Sequence, residues 1–400
     1  MKINEPQIFL EINDLKFIFL VIKYNENLDY KILDSTIVDS EGVLEGKIID
    51  LELSSRIIKH NLNTIEKKIN FTFQQITVIN TQSDYSCINV SGFKKLRGSQ
   101  ISNEDVSYIL NDIKKLIADT EMQKTLVHLF NSKFILDNKI LKSMPIGLHG
   151  EFYNQNQTLF LVSKNDLKNL KLVLNKCDID IERVVLRSFV EGIYQIKKNK
   201  LEKNFIFISF ETNEIKISIF DNLALIFSQT FKFGTDIIKK DISKVCSLSI
   251  DFIDNIFKKS DIDFLHQKNS DKYLDHKLFS NNQYRKIRIG LLSDIIQARI
   301  KEIINLIYKK NINIQNFKKE SKFVYIAFND KGISSHLNEI FKNNFADGNS
   351  VSFLEKPKGD YLDSCLGAAE LKGRGWENEA LPIIHRKKTI ISKIFDNFFG

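Results

Sequence analysis

A group of three apolar strands that occurs twice limits the architecture of this chain more than any other feature. The first group is "QIFLEI", "KFIFLVIKY" and "DYKILDSTIV"; Asn13-Asp14 separates the first two strands and "NENL" the next pair. Both connections have turn composition. About 195 residues later, "NFIFISFETNEIKISIFDNLALIFSQTFKF" repeats the arrangement, with turns at Thr212-Asn213 and Asp221-Asn222. A repeat of this length predicts two similarly folded halves, and 400 residues leave room for each to bury a core.

Between and after the two groups the period changes repeatedly. A helix is predicted from about Leu51 to Lys68, where Leu53, Ile57, Ile58, Leu62 and Ile65 fall near helical spacing. "QQITVIN" is a further strand. From about Tyr85 to Val162 the pattern is that of a small α+β insert. Its strands are "YSCINVSGF", "TLVHLFNSKFIL" and "QTLFLVS". Its helix is "ISNEDVSYILNDIKKLI", with Ser102 as N-cap, Asp105 three residues on, and Val106, Ile109, Leu110, Ile113 and Ile117 along one face. Next, "KNDLKNLKLVLNKCDI" is helical and "RVVLRSFVEGIYQI" runs from a strand into a helix. A later helix, about Leu291 to Lys309, carries Leu292, Ile295, Ile296, Ile303, Ile304 and Ile307, and a last strand, "KFVYIAFND", leads into another helix.

Composition excludes several classes. Apolar residues are 43% and charged residues 27% of the chain, a globular balance. The net charge of +8 comes from lysines spread along the whole length rather than gathered in stripes, and no basic patch has interleaved aromatics, so nucleic acid is not an expected partner. Cys87, Cys177, Cys246 and Cys365 are far apart, without metal spacing, and fit a reducing cytosol. There is no HExxH pair, no Walker A loop and no GxSxG. The apolar run Phe17 to Ile22 is too short for a signal peptide core or a membrane span, and no other window reaches about 18 apolar residues. The expectation is a cytoplasmic protein, unless something docks it to a surface.

The chain does carry such a device. It ends "HRKKTIISKIFDNFFG". On a helical wheel Ile390, Ile391, Ile394, Phe395, Phe398 and Phe399 fill about half of the circumference, and Thr389, Ser392, Lys393, Asp396 and Asn397 the other half. Arg386, Lys387 and Lys388 come just before. A stripe with basic neighbours suits an anionic lipid surface. The same stripe also fits a helix docked on its own domain, but the terminal position, the lead "KGRGWENEALP", expected to be flexible, and the basic cluster favour lipid.

Two three-strand groups, each opening an α/β half, resemble the actin-like ATPase superfamily. One stretch is more specific. From "LFNSKFILDNKILKSMPIGLHGEFY" to "NKCDIDIERVVLRSFVEGIYQI" the chain resembles the FtsA family of bacterial actin-like cell-division proteins. Pro145, Gly147, Leu148, Gly150 and Cys177 match its pattern, while Asp178 stands where the family usually has Gly. The resemblance implies an α/β, actin-like (ribonuclease-H-like) two-half ATPase fold with an inserted α+β 1C subdomain and a C-terminal amphipathic helix. It implies subdomain 1A over 1–82 and 166–198, 1C over 83–165, 2A over 199–234 and 311–374, and 2B over 235–310. A linker over 375–386 and a membrane helix over 387–400 follow. It further implies a peripheral location on the cytoplasmic face of the inner membrane. The implied partners are the C-terminal peptide of the tubulin-like FtsZ, other copies of the chain in filaments, later divisome proteins and anionic lipid.

The cofactor implied is ATP with Mg²⁺, at Asn13, Asp14, Lys16, Ser209, Glu211, Thr212, Asn213, Gly234, Phe328 and Asn329. Here the chain departs from its relatives. Their first phosphate loop resembles "LEIGTAKV", where this chain has "LEINDLKF"; the second resembles "DIGGGT.D", where it has "SFETNEIK"; the adenine-side "TGG" is matched by Ala327, Phe328 and Asn329. Gly-rich turns let backbone N–H groups approach a phosphate. Without them, and with Glu211 and Glu214 adding negative charge, weak or absent ATP binding and no enzymatic turnover are expected. An arrangement of shifted hairpins that still holds nucleotide stays open, with Lys16 and Lys216 offsetting phosphate charge. For the FtsZ peptide, "IIQARIKEIINLI" matches the family's contact helix and places Arg299 and Glu302 at the contact positions; the two also fit an ordinary pair on a solvated face. A pilus-assembly adaptor of the PilM type and an actin-like ATPase or sugar kinase are the alternatives. The tail argues against the first and the missing Gly turns against the second.

Overall fold

The structure, a computed structural model, describes residues 5–141, 143–259, 271–279, 284–317, 323–328, 340–345, 350–354, 361–376 and 378–379. It divides into two compact units. One comprises the described residues of Met1–Lys203, Phe220–Ser228 and Asp360–Gly400, the other those of Asn204–Ile219 and Gln229–Gly359.

In the first unit, β1 (Gln7–Ile12), β2 (Lys16–Tyr24) and β3 (Tyr30–Asp39) form the predicted antiparallel meander. The short β4 (Val43–Leu44) and β5 (Lys47–Ile48) pair with each other, and α1 (Leu51–Ile69) leads into β6 (Gln75–Asn80). The insert is β7 (Ser86–Lys95), α2 (Asn103–Thr120), β8 (Lys124–Leu136), β9 (Lys139–Leu141) and β10 (Phe152–Ser163). Then come α3 (Lys164–Lys176), β11 (Asp180–Leu186) and α4 (Arg187–Asn199). The sheet order is β11-β6-β1-β2-β3, with β6 parallel to both β1 and β11. Helices α1 and α3 cover one face through Ile58, Leu62, Ile65, Val173 and Leu174, which meet Ile8, Leu10 and Ile12 of β1. Phe9 and Glu11, on the opposite face of β1, are also buried. That is why β1 and β2 are near-continuous apolar runs rather than alternating ones.

The second meander is β12 (Phe205–Phe210), β13 (Ile215–Asp221) and β14 (Ala224–Phe231). The chain continues with α5 (Asp236–Cys246), α6 (Ile250–Lys259), α7 (Ile289–Ile304), a π-helical turn at Asn305–Lys309, α8 (Ile312–Phe317), β15 (Phe323–Phe328) and β16 (Ser350–Leu354). The order of this sheet is β14-β13-β12-β15-β16, with β15 parallel to β12 and to β16. A meander followed outward by two parallel strands is therefore the plan of both sheets. The predicted repeat is real at the level of topology.

In the insert, α2 lies on the sheet β7-β10-β8-β9. Val106, Ile109, Leu110 and Ile113 pack on Leu129, Phe134, Tyr153 and Leu159. Ser102 and Asp105 form the expected capping box. Asp178, at the position where the family pattern has Gly, adopts a left-handed backbone with φ of 61°. The glycine conformation is kept there although the glycine is not.

Two corrections concern the end of the described chain. β16 follows the strand expected to be last, and a further helix, α9 (Asp363–Arg374), packs on α4, β1 and β2 in the first unit, although the sequence division assigned these residues to 2A. Gly367 makes this possible: a Cβ there would run into the carbonyl of Val190 on α4. Tyr24 Oη donates to the Ala369 carbonyl at 2.6 Å. Second, the lead to the tail, expected to be flexible from Lys372 on, is docked in its described part. Trp376 Nε1 donates to the Leu223 carbonyl at 2.7 Å, and the Asn131 amide of β8 donates to the Asn378 carbonyl at 3.0 Å. Glu379 is wholly buried against His128 and Arg183. The Leu186 amide donates to His128 Nε2 at 2.9 Å, so Nδ1 carries the proton given to Glu379. The tail itself, with Lys387, Lys388, Ile390, Ile391, Ile394, Phe395, Phe398 and Phe399, lies outside the described residues. Among the described residues no helix is long and apolar enough to cross a membrane.

This docking is acid-labile. Burial pushes the Glu379 carboxyl up, but Arg183 and His128 outweigh it and hold it below its ordinary value near 4.5. Burial pushes His128 below its ordinary 6.5, against the pull of Glu379. Both groups bind protons more readily when released, so their stabilisation is complete at neutral pH and is lost on acidification. Protection of the Asn131 amide, after correction for the intrinsic pH dependence of exchange, should be flat near neutrality, fall as the pH drops below 6.5, and fall more steeply below 4.5. Glu379→Gln should leave the partly buried Arg183 without its counter-charge and lower stability by about 3 kcal/mol at neutral pH. Unchanged stability would show that the cluster does not hold the segment.

Candidate functional site

The two meander turns are the candidate nucleotide positions, and each is built from its own side chains. At the first, between β1 and β2, Asn13 Oδ1 accepts from the Leu15 amide at 3.0 Å and the Lys16 amide at 2.8 Å. The Asn13 amide donates to the Lys16 carbonyl at 3.1 Å. An Asn side chain that bonds the backbone two and three residues on is an Asx turn, which needs no glycine. Asp14 Oδ1 accepts from the Gly46 amide at 2.7 Å. Lys16 reaches Asp39 at 2.5 Å, at the far end of β3. The amide donors that a phosphate would need are therefore bonded to Asn13, and the lysine has its own carboxylate.

The second turn, between β12 and β13, closes with the Glu211 amide donating to the Glu214 carbonyl at 2.9 Å. The carbonyls of Glu211 and Thr212 accept from the Thr235 and Asp236 amides, both at 3.0 Å, at the start of α5. A helix start offers unpaired N–H groups and a partial positive charge, the usual attraction for an anion. Here the hairpin itself bonds two of those groups. Gly234 permits the approach, since a Cβ would meet both carbonyl oxygens. The acidic residues are compensated: the buried Lys216 ammonium lies 2.5 Å from Glu214 and 3.4 Å from Glu211. Neither turn contains a residue with positive φ. The backbone of these turns is ordinary, unlike that at Asp178.

Ser209 is buried beside Ala327 in the parallel pair β12–β15, and no partner bonds its hydroxyl among the described residues. Phe328, expected at the adenine side, belongs to the core of the second unit. Its ring stacks on Phe210 at 4.9 Å and on Phe353 at 6.2 Å, and meets Phe341 edge-on at 5.2 Å. Asn329 lies outside the described residues. Taken together, the donor set of these turns does not suit a nucleotide phosphate: amides, carboxylates and lysines are already matched to one another. Among the described residues no group of three His, Cys, Asp or Glu could hold a metal ion.

On α7, Arg299 and Glu302 are brought together, Nη1 donating to Oε2 at 2.7 Å. A partner that sequence spacing did not reveal is Asp241 on α5. It receives both Nε and Nη2 of Arg299, the latter at 2.9 Å, in a two-point fork. Arg299 is thus a clamp between α5 and α7, and Glu302, half exposed, is its outer partner. Sequence reasoning also missed Arg187, at the start of α4. Its Nε lies 3.0 Å from Glu191 and 3.7 Å from the buried Glu11 at the end of β1.

No protein-family model matches the chain. Curated proteins do. The FtsA of Buchnera aphidicola (subsp. Acyrthosiphon pisum) is 21% identical over 320 residues, covering 80% of this chain and 76% of that protein. The FtsA of Bacillus subtilis is 22% identical over 276 residues, covering 68% of this chain and 61% of that one. The chain is a divergent relative of the curated FtsA proteins. Its fold is actin-like. A solved PilM-PilN type IV pilus biogenesis complex matches with a TM-score of 0.59 at 9% identity, covering 92% of this chain and 98% of that chain. A diol dehydratase-reactivating factor in nucleotide-free form matches with a TM-score of 0.51 at 8% identity, covering 90% and 98%. At such identities the structural likeness speaks for the fold alone.

The clamp makes a prediction that spacing alone would not. Arg299→Ala should lower the urea midpoint by the equivalent of about 1.5–3 kcal/mol, because it strips Asp241 of a charged fork. Glu302→Ala should change it by less than about 0.5 kcal/mol, as for an exposed pair. Equal effects of the two would mean that Asp241 is not the main partner.

Proposed function

We propose that this chain acts in bacterial cell division as a membrane adaptor, linking FtsZ filaments to the cytoplasmic face of the inner membrane by binding and self-assembly rather than by turnover. The observation that carries the reading is its coverage by curated FtsA proteins along most of its length, joined to the terminal stripe Ile390, Ile391, Ile394, Phe395, Phe398 and Phe399. The stripe would lie in the lipid interface, and Lys387 and Lys388 would meet anionic headgroups, each contributing about 1 kcal/mol near the surface. One short amphipathic segment binds weakly and reversibly. Several tails on one filament raise the effective concentration and give firm attachment.

On this reading the nucleotide turns are degenerate and assembly answers to FtsZ and to membrane density. The self-bonded turns at Asn13 and Glu211 support that view. Arg299 and Glu302 would meet the FtsZ peptide, with a peptide carboxylate taking the place of Asp241 in the Arg299 fork. Filament neighbours and later divisome proteins complete the partner set.

The likeness to the PilM-PilN complex favours one second reading, an adaptor of pilus assembly that holds a short peptide of a membrane partner. The tail separates the two. Deleting Lys387 to Gly400 should abolish co-sedimentation with vesicles containing anionic lipid while leaving the fold intact by circular dichroism. Undiminished sedimentation of the truncated protein would refute the membrane role of the tail and leave the pilus reading stronger.

A further inference from the structure

Helix α4 begins against the usual preference. A helix start carries partial positive charge and favours Asp or Glu in its first turn and Ser, Thr, Asp or Asn as cap. Here the cap is Leu186, with no side-chain cap bond; the first turn has no acid; and the first residue is Arg187. A residue placed against local preference calls for a compensating gain elsewhere.

The compensation is Glu11. This carboxylate is 1% exposed, at the end of β1 beside the first turn. Three elements converge on it. Asn13 Nδ2 of the turn donates to Oε1 at 2.9 Å, the Ser364 hydroxyl in the first turn of α9 donates to Oε2, and Arg187 Nε of α4 lies 3.7 Å from Oε1. Glu191, one helical turn along α4 and 3% exposed, takes the same Nε at 3.0 Å. Two buried carboxylates thus share one guanidinium. A buried carboxylate without a cation neutralises or disrupts its surroundings.

We propose that Arg187 is a built-in cation for the first turn: its guanidinium supplies the charge that Glu11 and Glu191 would otherwise draw from a divalent ion, and so keeps β1, α4 and α9 assembled without any ligand. This rests on the reading that the turns hold no nucleotide, and goes beyond it by naming the group that makes a ligand-free state stable. The Asn13 carboxamide belongs to the same device, since it bonds Glu11 with its N–H and the turn amides with its oxygen.

The test uses the full-length chain and variants R187Q, R187K, E11Q and the double variant E11Q/R187Q, melted in millimolar MgCl₂ or CaCl₂ against NaCl of equal ionic strength. The unaltered protein and R187K should melt at the same temperature in both salts. R187Q should melt several degrees lower in NaCl and recover at least half of that loss in divalent salt, because Glu11 and Glu191 then lose the guanidinium they both contact. E11Q/R187Q should show no divalent response and lose less than the sum of the two single variants. The proposal is overturned if the unaltered protein itself gains from divalent ions, if R187Q ignores them, or if the two losses simply add. Should R187Q fail to fold, the E11Q and R187K melts still decide: E11Q leaves one carboxylate for the guanidinium, so both must remain indifferent to divalent ions. Nucleotide affinity is a separate quantity. ATP binding by the unaltered protein would refute the reading of the turns while leaving the Arg187–Glu11 coupling measurable on its own.

Discussion

A backbone N–H at a hairpin tip or a helix start must be bonded by something, and the choice of partner decides what such a place can do. In a nucleotide-binding turn the donors are left for phosphate oxygens. In this chain Asn13 takes the amides of Leu15 and Lys16, and the carbonyls of Glu211 and Thr212 take those of Thr235 and Asp236. Beside these closed turns, Lys16 pairs with Asp39, Lys216 neutralises Glu211 and Glu214, and Arg187 holds Glu11 and Glu191.

The first unit shows how the closed turn is carried into the fold. β1 presents Ile8, Leu10 and Ile12 to the core shared with α1 and α3, and Glu11 to the opposite face, where α4 and α9 begin. α9 can lie against α4 because Gly367 has no side chain to strike Val190. From the end of α9 the chain runs to Trp376 and Glu379, whose burial against Phe189, His128 and Arg183 ties it to the insert and to β11. A tail that engages lipid would therefore pull on a point fixed to the first unit, rather than on a slack linker beginning at the helix.

Much of this was legible in the sequence, for identifiable reasons. The meanders are long runs of β-branched and aromatic residues bounded by turn residues, and the capping box at Ser102 and Asp105 is a local signal. α5 and α6 were not among the predicted elements, although they carry ordinary amphipathic spacing, with Ile238 and Ile242, and Ile253, Ile256 and Phe257, on buried faces. α9 was not legible. "DSCLGAAELKGR" is buried on nearly every side, so it has no apolar stripe to reveal a helix, and its small residues record close contact with α4 instead. The site was legible only as an absence. Missing glycines marked the two turns, but the groups that pair near them come from far along the chain. Arg187 lies 176 residues from Glu11, and Asp241 lies 58 from Arg299. Phe328, aligned with a ligand position, is held by three rings of the core.

The central claim is that the turns satisfy themselves and leave no place for a nucleotide. Calorimetric titration of the purified, tail-deleted protein with ATP and Mg²⁺ tests it most directly. The account predicts no heat of binding up to millimolar ATP. Saturable binding at micromolar ATP would contradict it, and would mean that the hairpins open to receive a phosphate and that assembly is under nucleotide control.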